Sequence, residues 1–156
     1  MYEVRQYAGL KHTPTLGTLD VSSTSNETAR ITVPSGLTVA LIQAQGLTQT
    51  IGPAEAWLCV GFWYTIGTTI ATGTPVVSLA KGGTAVTGAD ATLPLATNGT
   101  TYLWASFANY TRPTIAAADT MSLKPTTTNS ATGVITPYLG YIPIAVAGVS
   151  DAVTTV

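Results

Sequence analysis

Side chains able to perform acid–base, nucleophilic or metal chemistry are few and scattered in this sequence of 156 residues. It has one histidine, His12, and one cysteine, Cys59, and its carboxylates are spread one per segment. The seven carboxylates are Glu3, Asp20, Glu27, Glu55, Asp90, Asp119 and Asp151. Nucleophilic catalysis needs a base and an orienting group beside the nucleophile, and structural zinc needs several Cys or His ligands. The sequence therefore predicts no catalytic residues, no metal site, no cofactor and no enzymatic activity.

Two other kinds of functional site are alternatives to this prediction: a pair of carboxylates brought together by folding, and a phosphate-binding loop. Two distant carboxylates could meet as they do in a glycosidase, and this stays open. Lys81-Gly82-Gly83 places a lysine beside two glycines, but in a phosphate-binding P-loop the lysine follows the glycines. The order found here predicts instead a hairpin with Gly82 and Gly83 at its tip.

Composition predicts an all-β protein with an unusually neutral surface. Charged residues make up 8% of the chain, hydrophobic residues 46%, and the net charge is −1. Threonine, which occurs 30 times, favours strands, while 15 glycines and nine prolines supply turns. Six scattered Lys and Arg residues form no basic patch, so we expect no direct contact with nucleic acid.

The longest apolar stretch runs from Ala56 to Ile66 and predicts a strand that is buried on both faces. Cys59 lies inside this run, which predicts a buried thiol rather than a reactive one. Residues 102–110 repeat its order of aromatic, leucine and small residues. We expect these two strands to form the central pair of an antiparallel β-sandwich, jelly-roll-like, with about 8–10 strands.

Domain organisation follows from where the charge lies. Residues 1–14 hold an unusual share of the charged side chains and predict an N-terminal arm, whereas residues 15–156 predict a single β-sandwich domain. The apolar tail from Leu139 to Val149 contains Pro143, which limits it to an edge or bulged strand. No segment has the length of a membrane helix or the apolar core of a signal peptide. We therefore expect no transmembrane segment and synthesis in a cytoplasm.

The arm and the tail together predict an assembly interface. Amphipathic aromatic side chains and an apolar edge strand are typical of surfaces that contact another protein. The predicted interface residues are Tyr2, Arg5, Tyr7, Leu10, Ile142, Ile144 and Val146. Exposed aromatic rings could form a sugar-binding platform instead, and Tyr110, Tyr138 and Tyr141 lie near predicted strand ends. Packing in the core or an interface is the alternative role for these rings.

The segment from Val33 to Gly46, Val-Pro-Ser-Gly-Leu-Thr-Val-Ala-Leu-Ile-Gln-Ala-Gln-Gly, resembles one that recurs in small β-rich bacteriophage virion proteins. In those proteins a Pro-x-Gly turn opens a strand of the form Ala-Leu-Ile/Val-Gln. The size, the low charge, the distinct arm and the apolar tail also look like a single jelly-roll capsid or decoration protein of a tailless icosahedral phage. This resemblance implies a protein located in the virion and partnered by copies of itself and other virion proteins.

Three functions stay open on the sequence alone. The first is a virion structural protein, a capsid or capsid-decoration subunit that assembles by symmetric self-association. A neutral surface suits this role, since symmetric packing places identical charges side by side. The second is a carbohydrate-binding or adhesin module with a β-sandwich fold, and the third is a small β-barrel enzyme.

Overall fold

The protein folds as an antiparallel β-sandwich, as the sequence predicts. The structure is a computed structural model, and it describes residues 9–34, 37–42, 47–51, 55–108, 114, 115 and 119–145. Within these ranges there is no helix, and hence none long and apolar enough to cross a membrane. Every strand pairing is antiparallel.

The described part of the chain contains twelve strands, eight with five or more residues and four with two. Their bounds are β1 (Lys11–His12), β2 (Leu19–Asp20), β3 (Ile31–Thr32), β4 (Leu37–Ile42), β5 (Leu47–Ile51), β6 (Glu55–Thr68), β7 (Val76–Lys81), β8 (Thr84–Thr92), β9 (Gly99–Ser106), β10 (Thr114–Ile115), β11 (Thr120–Thr127) and β12 (Val134–Ala145).

The first sheet is built on β6, the strand predicted to be central. Strand β12 pairs along the length of β6 on one side, and β9 and β10 pair with its two halves on the other. The short strands β1 and β2 pair with the far edge of β12. The two aromatic strands β6 and β9 pair as predicted, but they are not the central pair, because within the described residues β9 pairs with β6 alone.

The second sheet has the order β3-β11-β7-β8. Strands β7 and β8 form the predicted hairpin, and Gly82 and Gly83 at its tip have φ of 57° and 87°. These positive φ values are the reason for two consecutive glycines. Strands β4 and β5 form a separate hairpin, and within the described residues they pair only with each other.

A single core fills the space between the two sheets. Its members are apolar side chains from both sheets and from the segments that lead into them. The largest of the fully buried side chains include Leu16, Phe62, Tyr64, Ile70, Leu79, Met121, Leu123, Ile135 and Leu139. Cys59 has no exposed surface, as predicted, and burial raises the pKa of its thiol to about 12.

A β-bulge at Val60 changes which residues of β6 face the core. Opposite β12, Gly140 pairs with Gly61 and Tyr141 pairs with Cys59, so Val60 is an extra residue. Core-facing positions therefore change from odd to even numbers: Trp57 and Cys59 before the bulge, then Phe62 and Tyr64 after it.

The prediction that the apolar run in β6 is buried on both faces is wrong. Ala56, Leu58, Trp63 and Thr65 point away from the core and are only partly buried, because no second layer described in the structure covers that face. The prediction of an interior strand is likewise wrong for Tyr102 on β9, whose side chain is 62% exposed. A strand of a two-layer sandwich buries one face, even where its sequence is apolar on both.

The chain enters the first sheet at β1. Lys11 and His12 pair with Tyr141 and Gly140, and Thr13 and Leu16 donate backbone hydrogen bonds to Leu139 and Pro137 at 3.0 Å. The hydroxyl of buried Thr13 also accepts a hydrogen bond from the Leu139 N–H at 3.1 Å. The last residues of the predicted arm thus pair with the sandwich, whereas residues 1–8 lie outside the described ranges.

Glu27 gives the fold an acid-sensitive contact on the second sheet. Its carboxylate accepts hydrogen bonds from Arg30 at 2.8 Å and from the Ser122 hydroxyl at 2.6 Å. These two bonds lower the pKa of Glu27 from 4.5 to about 2. Their stabilisation is therefore complete above about pH 4.5 and is lost as the pH falls from there toward 2.

Replacing Glu27 with Gln should reduce the free energy of unfolding by roughly 1–2 kcal/mol at pH 7, because Arg30 is half-exposed and solvent screens the pair. The difference between variant and wild type should shrink as the pH is lowered toward 2. Urea unfolding followed by circular dichroism between pH 7 and pH 2.5 measures this difference. A gap that stayed constant over the whole range would contradict the role given to the carboxylate charge.

Candidate binding surface

The outer face of the first sheet carries an uncharged surface made of aromatic and aliphatic side chains. In β12, Ile135 and Leu139 face the core and are at most 1% exposed. Because side chains alternate along a strand, the even-numbered residues of β12 face outward. Tyr138, Ile142 and Ile144 therefore lie on the same side of the sheet as the outward residues of β6.

This outer face has two parts. The first, which we call the aromatic groove, consists of His12, Trp63, Tyr102 and Tyr138, which line one concavity. The second, which we call the aliphatic patch, consists of Leu58, Ile142 and Ile144. Tyr138 is opposite Trp63 in the groove, and Ile142 is opposite Leu58 in the patch.

Two facing glycines separate the groove from the patch. Gly61 and Gly140 form a cross-strand pair, and the indole of Trp104 lies over both. A Cβ added at Gly140 would lie 2.8 Å from two carbons of the Trp104 ring and 3.2 Å from the Trp63 ring. One added at Gly61 would lie 2.8 Å from the Trp104 ring and would overlap the Ala105 carbonyl. Both positions therefore require a residue without a side chain.

The rings around the groove contact one another mainly edge to face. The ring centroids of His12 and Trp63 are 6.0 Å apart at 77°, and those of His12 and Tyr138 are 6.3 Å apart at 88°. The ring centroids of Tyr102 and Tyr138 are 5.7 Å apart, and those of the cross-strand neighbours Trp63 and Trp104 are 4.5 Å apart. The groove encloses a volume of about 280 Å³.

Polar groups at the edge of the groove are hydroxyl and imidazole groups. A hydrogen bond with Tyr102 raises the pKa of the Tyr138 hydroxyl above its ordinary value. A weaker effect in the opposite direction comes from a hydrogen bond with the Thr15 side chain, which lowers this pKa. His12 Nδ1 lies 2.9 Å from the Thr13 carbonyl oxygen, which can only accept. In the neutral imidazole Nδ1 therefore carries the hydrogen, and Nε2 is the acceptor.

A larger concavity of about 630 Å³ lies beside β9, lined by residues that include Ile70, Leu95, Thr97 and Asn98. No aromatic or titratable side chain lines it. It therefore offers fewer specific interactions than the smaller aromatic groove.

The predicted assembly residues fall partly on this outer face. Ile142 is partly buried and Ile144 is 40% exposed, and both belong to the aliphatic patch. Leu10 is partly buried just before β1. Tyr2, Arg5, Tyr7 and Val146 lie outside the described residues, so the predicted interface as a whole stays a prediction.

The predicted sugar-platform residues separate in the structure. Tyr138 lines the groove, but Tyr141 stacks on buried Trp57 with centroids 3.8 Å apart, and Tyr110 lies outside the described ranges. Sequence reasoning assigned Trp63, Tyr102 and Trp104 to the core, and so missed them as surface residues. A pattern in the sequence could have revealed the exposed positions of β9, since outward-facing and core-facing residues alternate along it. The outward residues are Tyr102, Trp104 and Ser106, and the residues between and after them are Leu103, Ala105 and Phe107.

Each carboxylate with a described side chain contacts a polar or basic group close to it in space. Glu27 binds Arg30 and Ser122, Asp119 pairs with Lys81 at 2.7 Å, and Asp90 accepts a hydrogen bond from Ser78. Asp20 caps the turn that follows it by accepting from the Ser22 N–H at 2.9 Å, and this bonding to Ser22 lowers its pKa. No group of three metal-binding side chains occurs among the residues that the structure describes.

Comparison with known proteins identifies no family. No protein-family model matches the chain, and no curated protein matches it. Among solved structures it is similar to a Bacillus thuringiensis Cry1Da tryptic core variant, with a TM-score of 0.37 and 10% identity. That match covers 90% of this chain and 22% of the other. A similarity this weak supports no conclusion about function.

The contact between Trp104 and Gly140 can be tested with one methyl group. Gly140→Ala should lower the free energy of unfolding by roughly 1–3 kcal/mol, because a rigid indole must move to admit the Cβ. Gly67→Ala is a matched control on β6, where a Cβ meets only the Val134 carbonyl oxygen at 3.5 Å. We expect the control to stay within roughly 0.5 kcal/mol of wild type. Equal urea midpoints for the two variants would contradict this packing.

Proposed function

We propose that this protein is a virion structural subunit, a capsid or capsid-decoration protein of bacteriophage type that assembles with copies of itself. The observation that supports the proposal most is the outward-facing aliphatic patch beside a strand edge that has no partner among the described residues. Other virion proteins are the further partners in this proposal, and direct contact with nucleic acid is not part of it.

The patch lies beyond the last described pairing of β12 with its outer neighbour β1. Strand β1 pairs with β12 only as far as Tyr141, and from Ile142 onward β12 pairs within the described residues with β6 alone. Ile144 exposes 40% of its surface here, and Ile142 and Leu58 are partly buried beside it. Exposed aliphatic side chains at an open edge favour contact with another protein.

Pro143 determines how such a contact can form. Leu139 bonds with Thr13 on the side of β12 away from β6, and backbone groups of alternate residues in a strand point the same way. Pro143 therefore faces this open side, where it has no N–H to donate. The missing donor protects the edge against uncontrolled strand addition. Association at this edge then depends on the side chains of the patch.

Charge distribution on the sandwich also supports symmetric assembly. The ion pairs Glu27–Arg30 and Lys81–Asp119 lie at the second sheet. Outward-facing described residues around the aliphatic patch are uncharged, from Ala56 to Gly61 in β6 and from Gly140 to Ile144 in β12. Copies related by symmetry can approach through this patch without placing like charges together.

Replacing Ile144 with Asp should lower the oligomer mass at matched protein concentration, because a buried carboxylate would disfavour the contact. Thr87→Asp, at an exposed position of β8 in the second sheet, is the control and should leave the mass unchanged. Size-exclusion chromatography with light scattering measures both masses, and circular dichroism checks the fold. A wild-type protein that stayed monomeric, or an unchanged mass for Ile144→Asp, would count against the proposal.

Two truncations separate the arm from the sandwich. A chain starting at Gly9 retains β1 and Thr13, so we expect it to keep its stability and to lose its larger oligomers. A chain starting at Thr15 also loses the Thr13–Leu139 bonds and should unfold at lower urea concentration by roughly 1–3 kcal/mol. Light scattering and urea unfolding give the two readouts. Full-sized oligomers from the chain starting at Gly9 would exclude the arm as an assembly element.

A further inference from the structure

We propose that the aromatic groove formed by His12, Trp63, Tyr102 and Tyr138 binds a neutral carbohydrate, one pyranose residue at a time. This site is separate from the aliphatic patch, and its occupation does not depend on the proposed role in the virion. The argument rests on ring geometry, on the groups at the edge of the groove and on the absence of carboxylate, lysine and arginine side chains among its lining residues.

Ring arrangement and size suit a sugar. The C–H groups on one face of a pyranose carry partial positive charge, and aromatic faces carry partial negative charge. The groove has three such rings and an imidazole around a volume of about 280 Å³. This volume is at the lower end of the roughly 300–1,000 Å³ of ordinary ligand pockets. A single ring of a longer glycan therefore matches it better than a large ligand.

Hydrogen-bonding groups surround this apolar floor. The Tyr102 and Tyr138 hydroxyls can donate and accept, and His12 Nε2 is an acceptor in the neutral imidazole. Thr15 adds a further hydroxyl beside Tyr138. Sugar hydroxyls, which donate and accept in the same way, can replace the water at these groups.

The charge of the side chains that line the groove distinguishes a neutral sugar from charged ligands of similar shape. Aromatic cages also bind quaternary ammonium groups through cation–π contacts, and phosphate or sulfate ligands require basic side chains. No acidic, lysine or arginine side chain lines this groove. A ligand without charge is therefore favoured over both classes.

The groove is formed before any ligand arrives. Trp104 donates its indole N–H to the Ser106 hydroxyl at 3.2 Å, and the ring packs over Gly61 and Gly140. Trp104 in turn contacts Trp63, its cross-strand neighbour and a lining residue of the groove. Fixed rings lose little conformational freedom on binding, which favours affinity for a small ligand.

Tryptophan fluorescence titration of the full chain tests the proposal, because Trp63 lies in the groove. The probes are malto-, cello- and galacto-oligosaccharides and N-acetylchitotriose, with choline as the cationic comparison. We expect saturable binding of at least one neutral probe and none of choline. Tyr102→Ala should weaken that binding by at least about tenfold through the lost ring contact, and Tyr138→Phe by about three- to tenfold through the lost hydroxyl.

Controls keep this result distinct from folding and assembly. Leu95→Ala, an equally exposed position outside the groove, should leave sugar affinity unchanged. Tyr102→Ala should keep the wild-type oligomer mass, and Ile144→Asp should keep the wild-type sugar affinity. The proposal is overturned if no neutral probe binds, if choline binds more tightly than every sugar, or if Tyr102→Ala leaves affinity intact. A loss of oligomer mass in Tyr102→Ala would also overturn it, since the groove would then be a contact between copies.

Discussion

The packing of the Trp104 indole over the facing glycines Gly61 and Gly140 is the constraint on which the aromatic groove and the aliphatic patch both depend. It lets β9 place a large ring across the pairing of β6 with β12, where any side chain would collide. The same ring contacts Trp63, which lines the aromatic groove. The aliphatic patch lies on the other side of the glycines. One contact thus divides a single sheet face into two surfaces of different chemistry.

Much of the fold could be predicted from local sequence. Threonine-rich alternating segments predicted antiparallel strands, and the Gly82-Gly83 pair predicted the β7–β8 hairpin, because only positive φ angles close such a turn. Pro143 predicted an edge, and it faces the open side of β12. Each of these features depends on backbone chemistry at one or two residues, which a sequence shows directly.

The candidate site could not be predicted, because it depends on pairing between distant strands. The bulge at Val60 shifts the core-facing positions of β6, and the outward-facing Leu58 and Trp63 are apolar as well. A strand with one buried face therefore has the sequence of a strand buried on both. Tyr138 and Tyr141 looked equivalent in the sequence, yet their odd spacing places one in the groove and the other against Trp57. His12 joins the groove only because β1 pairs with Gly140, far along the chain.

Self-association through the aliphatic patch of the first sheet is the central claim, and methyl NMR of isoleucine side chains across a dilution series tests it most directly. We expect the signals of Ile142 and Ile144 to shift with protein concentration. The signals of Ile70 and Ile135, which are at most 1% exposed in the core, should remain fixed. Shifts that spared Ile142 and Ile144, or spectra independent of concentration in a monomeric protein, would contradict the account.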